Sequence, residues 1–303
     1  MSPKGVLLLA YGGPREPDEV APFLAAVTGG RPLPPAFVQE FQERYRLIGG
    51  RSPLPALVDA LVAALQTRLD AAGDYAAAWA SQFGRPTYAE GIATLSACGV
   101  RQAVAAALVP QYSPASVGRY FTRLDQELAA AGSPFAVTPV HSWATHPLLV
   151  AAFAERVRAS LAGLPPGEGE PQVIFTAHSL PLAALKDGDP FVAEIAASAS
   201  AVAAAVGLAA WRIAYQSAGR GGGPWLGPSL EETVDDLARG GRRQVLVVPL
   251  HFLVDNVEIL YDIDVALRAR AERLGLSLAR SRSLNTSPLL VEALADLALN
   301  PPA

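Results

Sequence analysis

Hydrophobic positions along the chain form short apolar runs that alternate with longer segments of helical spacing. Leu54, Leu57, Leu61 and Leu65 recur every three or four residues, which predicts a helix with one apolar face. Most of the short runs are continuously apolar, as expected for strands buried on both faces of a parallel sheet. These runs are residues 5–10, 75–81, 103–109, 135–140, 171–177, 212–216, 243–249 and 276–279. Strands that alternate with helices predict an α/β protein with doubly wound parallel sheets.

The apolar runs divide into two groups of four, with a break near residues 140–147. We therefore expect an N-terminal domain over residues 1–142 and a C-terminal domain over residues 143–286. Residues 289–299 form a last apolar segment of helical type. We expect the stretch 287–303 to pack back on the first domain.

Composition narrows the class of protein. The chain has 303 residues, of which 51% are hydrophobic and 17% are charged, and its formal net charge is −4. Two domains are the expectation for this length, and a mildly acidic chain without a basic run is a poor binder of nucleic acid. The one cysteine, Cys98, allows neither an intrachain disulfide nor a cysteine-ligated iron–sulfur cluster.

The long apolar stretches help to predict where in the cell the protein is located. The apolar run at the N-terminus is too short for a signal peptide, and no small-residue cleavage site follows it. The uncharged stretches 135–154 and 195–211 are interrupted by Pro, Gly or Ser, so we expect no membrane insertion. With the single cysteine, this favours a cytoplasmic protein. No apolar surface stripe is evident, and we expect a monomer.

Common nucleotide and hydrolase motifs are missing from the sequence. Neither G-x-G-x-x-G after the first strand nor G-x-x-x-x-G-K-[ST] is present. The glycine-rich segment 219–224 lacks the Lys-Ser/Thr that would begin a phosphate-binding helix, which favours a loop. G-x-S-x-G is also absent, so Ser179 is not expected to be a nucleophile.

Two candidate residues follow predicted strands directly. His178 ends the run 171–177, and Tyr11 ends the run 5–10. Ligands of open α/β sheets bind beyond the carboxyl ends of the strands, and a histidine there can act as a base or a metal ligand. A hydrogen-bonded structural histidine and a buried tyrosine are the alternatives, and the pattern leaves both open.

Three acidic residues follow the run 243–249. If the segment DNVEILYDID is helical, Asp255, Glu258 and Asp262 share one face, and carboxylate oxygens suit hard divalent cations. The alternative is a capping box with Asp255 at the N-cap and Glu258 at N3. The spacing leaves both interpretations open. His141 and His146 lack a shared helical face, so we expect no metal site there.

Several motifs together resemble one family over nearly the whole chain. In order they are LLLAYGGP, RYRLIGGRSPL, PQYSPASVGRY, TAHSLP, GDPF, AYQSAGRGGGPWLGP and FLVDNVEILYDID, and their order and spacing resemble those of the ferrochelatases. The resemblance implies two Rossmann-like domains of chelatase type, each with a parallel four-stranded sheet, and a cleft between them. It implies insertion of Fe²⁺ into a porphyrin in haem biosynthesis. Tyr11 within AYGGP and the absence of a membrane-binding extension resemble the coproporphyrin III branch.

The resemblance also implies roles for individual residues. His178 and Glu258 match the catalytic pair and metal ligands, and Tyr11 matches the residue that faces the iron from the other side of the macrocycle. The positions that match substrate contacts are Tyr11, Arg44, Tyr45, Ser52 and Tyr120. Fe²⁺ is then a substrate, and no resident cofactor is implied. Removal of the two inner N–H protons of a porphyrin suits a neutral imidazole as base.

Some positions depart from the family pattern. Asn256 stands where many relatives have His, His251 where Gly or Ala is common, and Ala266 where some relatives extend the carboxylate column. Thr28 occupies a position that is basic in close relatives, so we expect Arg31 to take over its propionate contact. The alternatives are a chelatase for another tetrapyrrole or metal, such as sirohydrochlorin, and a non-catalytic porphyrin carrier.

Overall fold

The computed structural model describes residues 2–166, 170–219 and 223–302. Within these residues the chain forms two parallel four-stranded sheets. Their strands are β1 Lys4–Gly12, β2 Tyr75–Phe83, β3 Gln102–Ala107, β4 Ala136–Val140, β5 Gln172–His178, β6 Trp211–Gln216, β7 Gln244–Pro249 and β8 Ser277–Arg280. The strand order is β2-β1-β3-β4 in the first sheet and β6-β5-β7-β8 in the second.

Helices cover both sheets. They are α1 Val20–Val27, α2 Pro35–Leu47, α3 Leu54–Asp70, α4 Tyr88–Ala97, α5 Val117–Ala130, α6 Pro147–Ala162, α7 Phe191–Val206, α8 Leu230–Arg239, α9 Val257–Leu260, α10 Arg268–Arg273 and α11 Pro288–Leu299. Short 3₁₀ helices occupy Pro17–Glu19 and Leu182–Ala184, and a π-helix occupies Asp262–Leu267.

The predicted fold class is confirmed, and each of the eight predicted runs contains a strand. The strand ends differ from the predicted runs by at most two residues: β1 and β2 extend to Gly12 and Phe83, whereas β3 ends at Ala107 rather than at Val109. Pro110, which follows, has no backbone N–H for a ladder and disfavours continuation of the strand. The continuous apolar runs predict burial on both faces correctly, since all six residues of β7 are buried.

The two sheets repeat one topology, with β1 and β5 as equivalent inner strands. In each half, the helix that follows the second strand of that half begins with a capping box. Thr87 with Glu90 caps α4, and Ser229 with Glu232 caps α8. These caps correspond to P-[ST]-x-x-E at residues 86–90 and 228–232, a local similarity that supports the same strand-to-helix turn in both halves.

The last helix joins the two halves. We expected it to pack on the first domain, and α11 does contact α3, but it contacts α6 of the second half as well. Leu290 and Leu294 of α11 are buried in a core that includes Leu8 of β1 and Leu246 of β7. Burial of a leucine side chain contributes about 1.5–3 kcal/mol. The domain bounds 1–142 and 143–286 stay a prediction.

Two further predictions concern membrane-spanning helices and the glycine-rich segment. Among the described residues, none of the helices combines the length and the apolarity needed to cross a bilayer. The middle of the glycine-rich segment, residues 220–222, lies outside the described residues.

Candidate active site

The candidate site lies at the carboxyl ends of the two equivalent inner strands. His178 is the last residue of β5, and Tyr11 is the second-last residue of β1. Side chains beyond carboxyl strand ends line the crevice of an open α/β sheet. The charge of Glu258 raises the pKa of the Tyr11 phenol, after burial as the larger cause, so residues of both halves lie within electrostatic reach of each other.

His178 and Glu258 form a pair. The distance from His178 Nε2 to Glu258 Oε1 is 3.4 Å, and the two side chains are 28% and 32% exposed. On the other side of the ring, Nδ1 lies 2.5 Å from the carbonyl oxygen of Ser179. Because a carbonyl only accepts, Nδ1 carries a proton and Nε2 is the nitrogen that faces Glu258 and the cleft. This bond selects Nε2 as the position that can bind a metal ion.

The protonation of His178 differs from the sequence-based expectation. Burial lowers its pKa, but the Glu258 carboxylate, the Ser179 carbonyl and the charge of Asp262 raise it to about 9. The expected neutral imidazole is therefore an imidazolium at neutral pH in the absence of metal. A cation that binds Nε2 must displace this proton.

Glu258 is held by polar contacts of its backbone. Asn256 is the N-cap of α9, and its side-chain oxygen accepts from the Glu258 N–H at 2.8 Å. Gln216 Nε2 donates to the Glu258 carbonyl at 2.9 Å, and Thr176 Oγ1 donates to Gln216 Oε1 at 3.0 Å. Strands β5 and β6 thus fix the height of Glu258 above the sheet.

The capping box proposed from spacing is wrong, because Asp255 lies outside the helix. Its carboxylate accepts from Ser283 Oγ at 2.7 Å and from Asn285 Nδ2 at 2.8 Å, and Arg280 Nη1 lies 3.4 Å away. Asp255 therefore does not share a helical face with Glu258 and Asp262, since the helix begins only after the Asn256 cap.

Asp262 begins the π-helix, where the Ala266 N–H bonds to the carbonyl of Tyr261 at 2.9 Å. Ser217 Oγ donates to Asp262 Oδ2 at 2.6 Å. Burial raises the pKa of Asp262 to about 6, and Glu258 adds to this, while Ser217 and Arg44 oppose it. A carboxyl with this pKa exchanges protons near neutral pH. Irregular helical turns of this type are frequent at functional sites.

The distribution of metal-ligating side chains limits the size of any metal site among the described residues. In the described part of the chain, no group of three or more His, Cys, Asp and Glu side chains is arranged to hold a metal ion. The predicted metal ligands His178 and Glu258 do lie together, and Tyr11 of the other half lies within electrostatic reach of Glu258.

Tyr11 is an exposed aromatic residue within an aromatic cluster. Its ring makes edge contacts with Phe83 and Phe23, at centroid distances of 5.1 and 6.3 Å, and 41% of the residue is exposed. The surrounding protein partly desolvates the hydroxyl, and this effect and the charge of Glu258 raise the pKa of the phenol, although the charge of Arg119 lowers it. The hydroxyl therefore stays neutral at physiological pH and can donate or accept a hydrogen bond.

Arg44 bridges the two halves. Its guanidinium stacks between the rings of Phe41 and Tyr261, 4.6 and 5.0 Å from their centroids. It pairs with Glu40 at 2.8 Å and with Asp262 at 3.4 Å. A substrate carboxylate that bound Arg44 would compete with the Asp262 contact. The role of Arg44 in substrate binding stays a prediction.

The other predicted substrate residues are more buried than an open binding surface requires. Tyr45 is 2% exposed, Ser52 4% and Tyr120 6%. Ser52 Oγ accepts from the Leu54 N–H at 3.3 Å, which gives it a local structural role at the start of α3. Tyr45 and Tyr120 have raised pKa values, chiefly from burial and also from Tyr11 and Glu258 nearby.

The remaining histidines have other surroundings. His251 is buried, and its Nδ1 lies 3.1 Å from Gln111 Oε1. Burial and the charge of His178 lower the pKa of His251 to about 3, so it is neutral. His141 packs edge-on against Tyr112 and Phe121. His146 Nε2 lies 3.0 Å from Asp296 Oδ2, which tethers α6 to α11. His141 and His146 thus lie in different surroundings.

Sequence reasoning missed several residues of the site. Gln216 and Ser217, which hold Glu258 and Asp262, lie within the motif AYQSAG, but their polar partners are distant in sequence. Trp225 and Phe252 flank His178, with ring centroids 6.5 and 6.4 Å away. Arg31 was expected to contact substrate; its Nε donates to the Thr28 carbonyl at 2.9 Å.

Solved chelatases have a similar fold. The sirohydrochlorin chelatase SirB from Bacillus subtilis subspecies spizizenii, in complex with cobalt, matches 99% of this chain and 97% of its own, with a TM-score of 0.58 and 11% identity. SirB from Bacillus subtilis with Fe³⁺ matches 97% of this chain and 93% of its own, with a TM-score of 0.54 and 11% identity. At this identity the likeness concerns the fold alone.

Sequence comparison gives closer relatives. The family model described as Ferrochelatase matches residues 3–301. A ferrochelatase of Deinococcus radiodurans is 38% identical, with 97% of this chain and 95% of the relative aligned. A ferrochelatase of Herpetosiphon aurantiacus is 37% identical, over 95% of this chain and 96% of the relative. From these matches, the chain belongs to the ferrochelatase family.

Proposed function

We propose that this member of the family inserts Fe²⁺ into coproporphyrin III, giving Fe-coproporphyrin III in haem biosynthesis. Insertion of a metal into a porphyrin follows from the family. The proposal for the site rests on one observation, the pairing of His178 Nε2 with Glu258 Oε1 at the carboxyl end of β5, with Tyr11 reaching the cleft from β1. Tyr11 within AYGGP supports the choice of coproporphyrin III.

Metal insertion requires the site to release several protons. Insertion of Fe²⁺ into the free porphyrin releases two protons from the inner nitrogens. His178, with a pKa of about 9, carries a further proton that must leave before Nε2 can bind the incoming metal. Glu258 supplies a carboxylate oxygen for the same cation.

Asp262 is the proposed proton acceptor behind this pair. Its pKa of about 6 places it between the acidic carboxylates and the imidazole, so it can take up a proton and lose it again to solvent. Ser217 Oγ and Arg44 hold its two oxygens in place.

Tyr11 acts from the other half of the molecule. Its raised pKa keeps the phenol neutral, so it offers an oxygen lone pair and an O–H to the opposite side of the macrocycle. The rings of Phe23 and Phe83 fix its orientation. We propose Arg44, Tyr45, Ser52 and Tyr120 as peripheral substrate contacts.

The proposal extends to the remaining expectations. We propose that the protein acts as a cytoplasmic monomer, with Fe²⁺ as substrate and without a resident cofactor or an iron–sulfur cluster. The single cysteine, which is exposed, supports the last point. A substrate that carries four propionates calls for cations around it, and we propose Arg44 for one of them, with a propionate in place of its contact with Asp262.

An anaerobic insertion assay tests the proposed function. Purified protein is mixed with Fe²⁺ and either coproporphyrin III, protoporphyrin IX or sirohydrochlorin, and the absorbance of the porphyrin is followed. We expect the highest kcat/KM with coproporphyrin III. Insertion into none of the three would contradict an enzymatic function, and insertion into protoporphyrin IX alone would contradict the choice of substrate.

A sirohydrochlorin chelatase is the second candidate, favoured by the likeness to the fold of SirB. Against it, His141, His146 and His251 have partners elsewhere, so His178 is the histidine beside Glu258 among the described residues. Rapid metal uptake by sirohydrochlorin in the same assay would favour this candidate over the first.

A further inference from the structure

Cations near the first half of the cleft are mostly neutralised by the protein. Arg15 pairs with Asp59 at 2.9 Å. Arg44 pairs with Glu40 and Asp262, as described above. These guanidinium groups would have to give up a carboxylate before they could bind one from a ligand.

Arg119 differs from these residues. It lies in the first turn of α5, next to the buried Tyr120, and its own residue is exposed. Within the described residues its guanidinium has neither a hydrogen-bond partner nor an ion-pair partner, whereas its backbone N–H bonds to the Ser116 carbonyl at 3.0 Å.

The topology of the first sheet places Arg119 at the same edge as Tyr11. Strands β1 and β3 are parallel neighbours, with Leu9 opposite Ala107, so their carboxyl ends lie side by side. Helix α5 follows β3, and Arg119 in its first turn therefore lies at the edge of the sheet where Tyr11 stands near the end of β1. An unpartnered arginine at the rim of a cleft is arranged for a ligand that carries a carboxylate.

We infer that Arg119 binds a peripheral carboxylate of the macrocycle and thereby favours porphyrins rich in propionate groups. This inference rests on the proposed function, and Arg119 lies within the motif PQYSPASVGRY but is not among the substrate contacts that the resemblance implies. Arg119 acts at the rim, so its contribution belongs to substrate binding rather than to metal insertion at His178. An exposed arginine loses little solvation on binding, and its effect is accordingly moderate.

Arg123 is a matched control on the same helix. It lies one turn after Arg119, and its guanidinium pairs with Glu127 at 3.3 Å and lies 5.7 Å from the centroid of the Tyr88 ring. Arg123→Gln removes a charge of the same sign at a similar depth, but from a side chain that already has partners.

Affinity for metal-free coproporphyrin III, measured by porphyrin fluorescence, tests the inference. We expect Arg119→Gln to raise Kd by about fivefold, the effect of losing a well-placed exposed ion pair. Arg119→Lys keeps the charge and recovers most of the affinity, and Arg123→Gln leaves Kd within about twofold of the wild type. High salt reduces the difference between Arg119→Gln and wild type.

Steady-state insertion supplies the second readout. In Arg119→Gln the loss falls on KM, while kcat stays close to wild type. An unchanged Kd in Arg119→Gln, equal losses in the Gln and Lys variants, or a fall in kcat alone would overturn the inference. Because the fluorescence measurement needs no iron, failure of the proposed insertion reaction in the wild type is distinguishable from failure of this contact.

Discussion

The two halves of the molecule use one topology for different chemistry. In the first sheet β1 carries Tyr11 at its second-last position, a neutral phenol among aromatic rings, and in the second sheet the equivalent strand β5 ends in His178, paired with Glu258. The backbone of the two edges is similar, since both sheets are parallel and share the order of strands. What differs is the charge that each edge presents to the cleft.

This difference shows how two halves with the same sheet topology can contribute different functions to one site. An apolar face with a neutral hydroxyl suits a flat aromatic ligand, because aromatic surface is buried there without desolvation of a charge. The second edge concentrates titratable groups, with pKa values of about 9 for His178 and about 6 for Asp262. Perturbed groups that cluster in a cleft mark the chemical side of a site.

The strongest way to test this division is to remove the imidazole. We expect His178→Ala to lower kcat for Fe²⁺ insertion by about 10²–10⁴-fold, the usual range for loss of an acid–base group, while porphyrin binding remains detectable by fluorescence. Anaerobic absorbance kinetics give the rate. His141→Ala is the matched control, since His141 packs on Tyr112 and Phe121. Near-normal turnover of His178→Ala would remove this residue from the mechanism.

Glu258→Gln tests the partner of the imidazole. We expect insertion to fall by about 10- to 100-fold, as for partners that orient and tune a metal ligand. The pKa of His178 should fall as well, because the Glu258 carboxylate is the largest contribution that raises it.

Titration of the His178 ring by NMR measures the second effect. Glu155→Gln serves as control, since Glu155 is an exposed residue of α6. If the pKa of His178 stays at its wild-type value in Glu258→Gln, the two side chains do not interact in solution.

The pH dependence of metal binding follows from the same pair. Since His178 has a folded pKa of about 9, a cation must displace its proton below that pH. Affinity for a redox-inert surrogate such as Zn²⁺ should therefore rise by about tenfold per pH unit between pH 7 and 9 and then level off. Calorimetry in buffers of different ionisation enthalpy should detect one released proton at pH 7. A pH-independent affinity would contradict the imidazolium.

Tyr11→Phe should have the smallest effect of the four. Loss of one hydroxyl contact costs about 1 kcal/mol, or about fivefold in kcat/KM. The aromatic contacts with Phe23 and Phe83 remain, so the variant should fold normally. Thermal unfolding checks this point, and the NMR titration of His178 should be unchanged because Tyr11 does not contribute to its shift. A loss of activity as large as that of His178→Ala would contradict the proposal that the two halves have different roles.

The fold could be predicted from the sequence because its strands are buried on both faces. Continuous apolar runs such as those of β1 and β7 leave few alternatives once their lengths and the intervening helical spacing are known. The placement of α11 was harder to predict, since an apolar helix pattern indicates that the helix is buried but not which helices it packs on. Contacts with both α3 and α6 depend on how the two sheets are arranged.

The site was accessible only in part. Placement after strand ends selected Tyr11 and His178, whose neighbours in the chain determine where they lie. The acidic segment was harder, because Asp255 and Asn256 both have cap-forming side chains, and the structure uses Asn256. Spacing alone does not decide which of two adjacent residues begins a helix.

The sequence by itself determined the eight strands, their division into two groups of four, and the positions of Tyr11 and His178 at the carboxyl ends of β1 and β5. These features depend on local backbone preferences and on burial, which nearby residues encode. Only the tertiary structure decided that the pKa of His178 rises to about 9 and that of Asp262 to about 6. Both pKa values result from burial and from charges that residues distant in sequence bring within reach, such as Glu258 for His178 and Arg44 for Asp262.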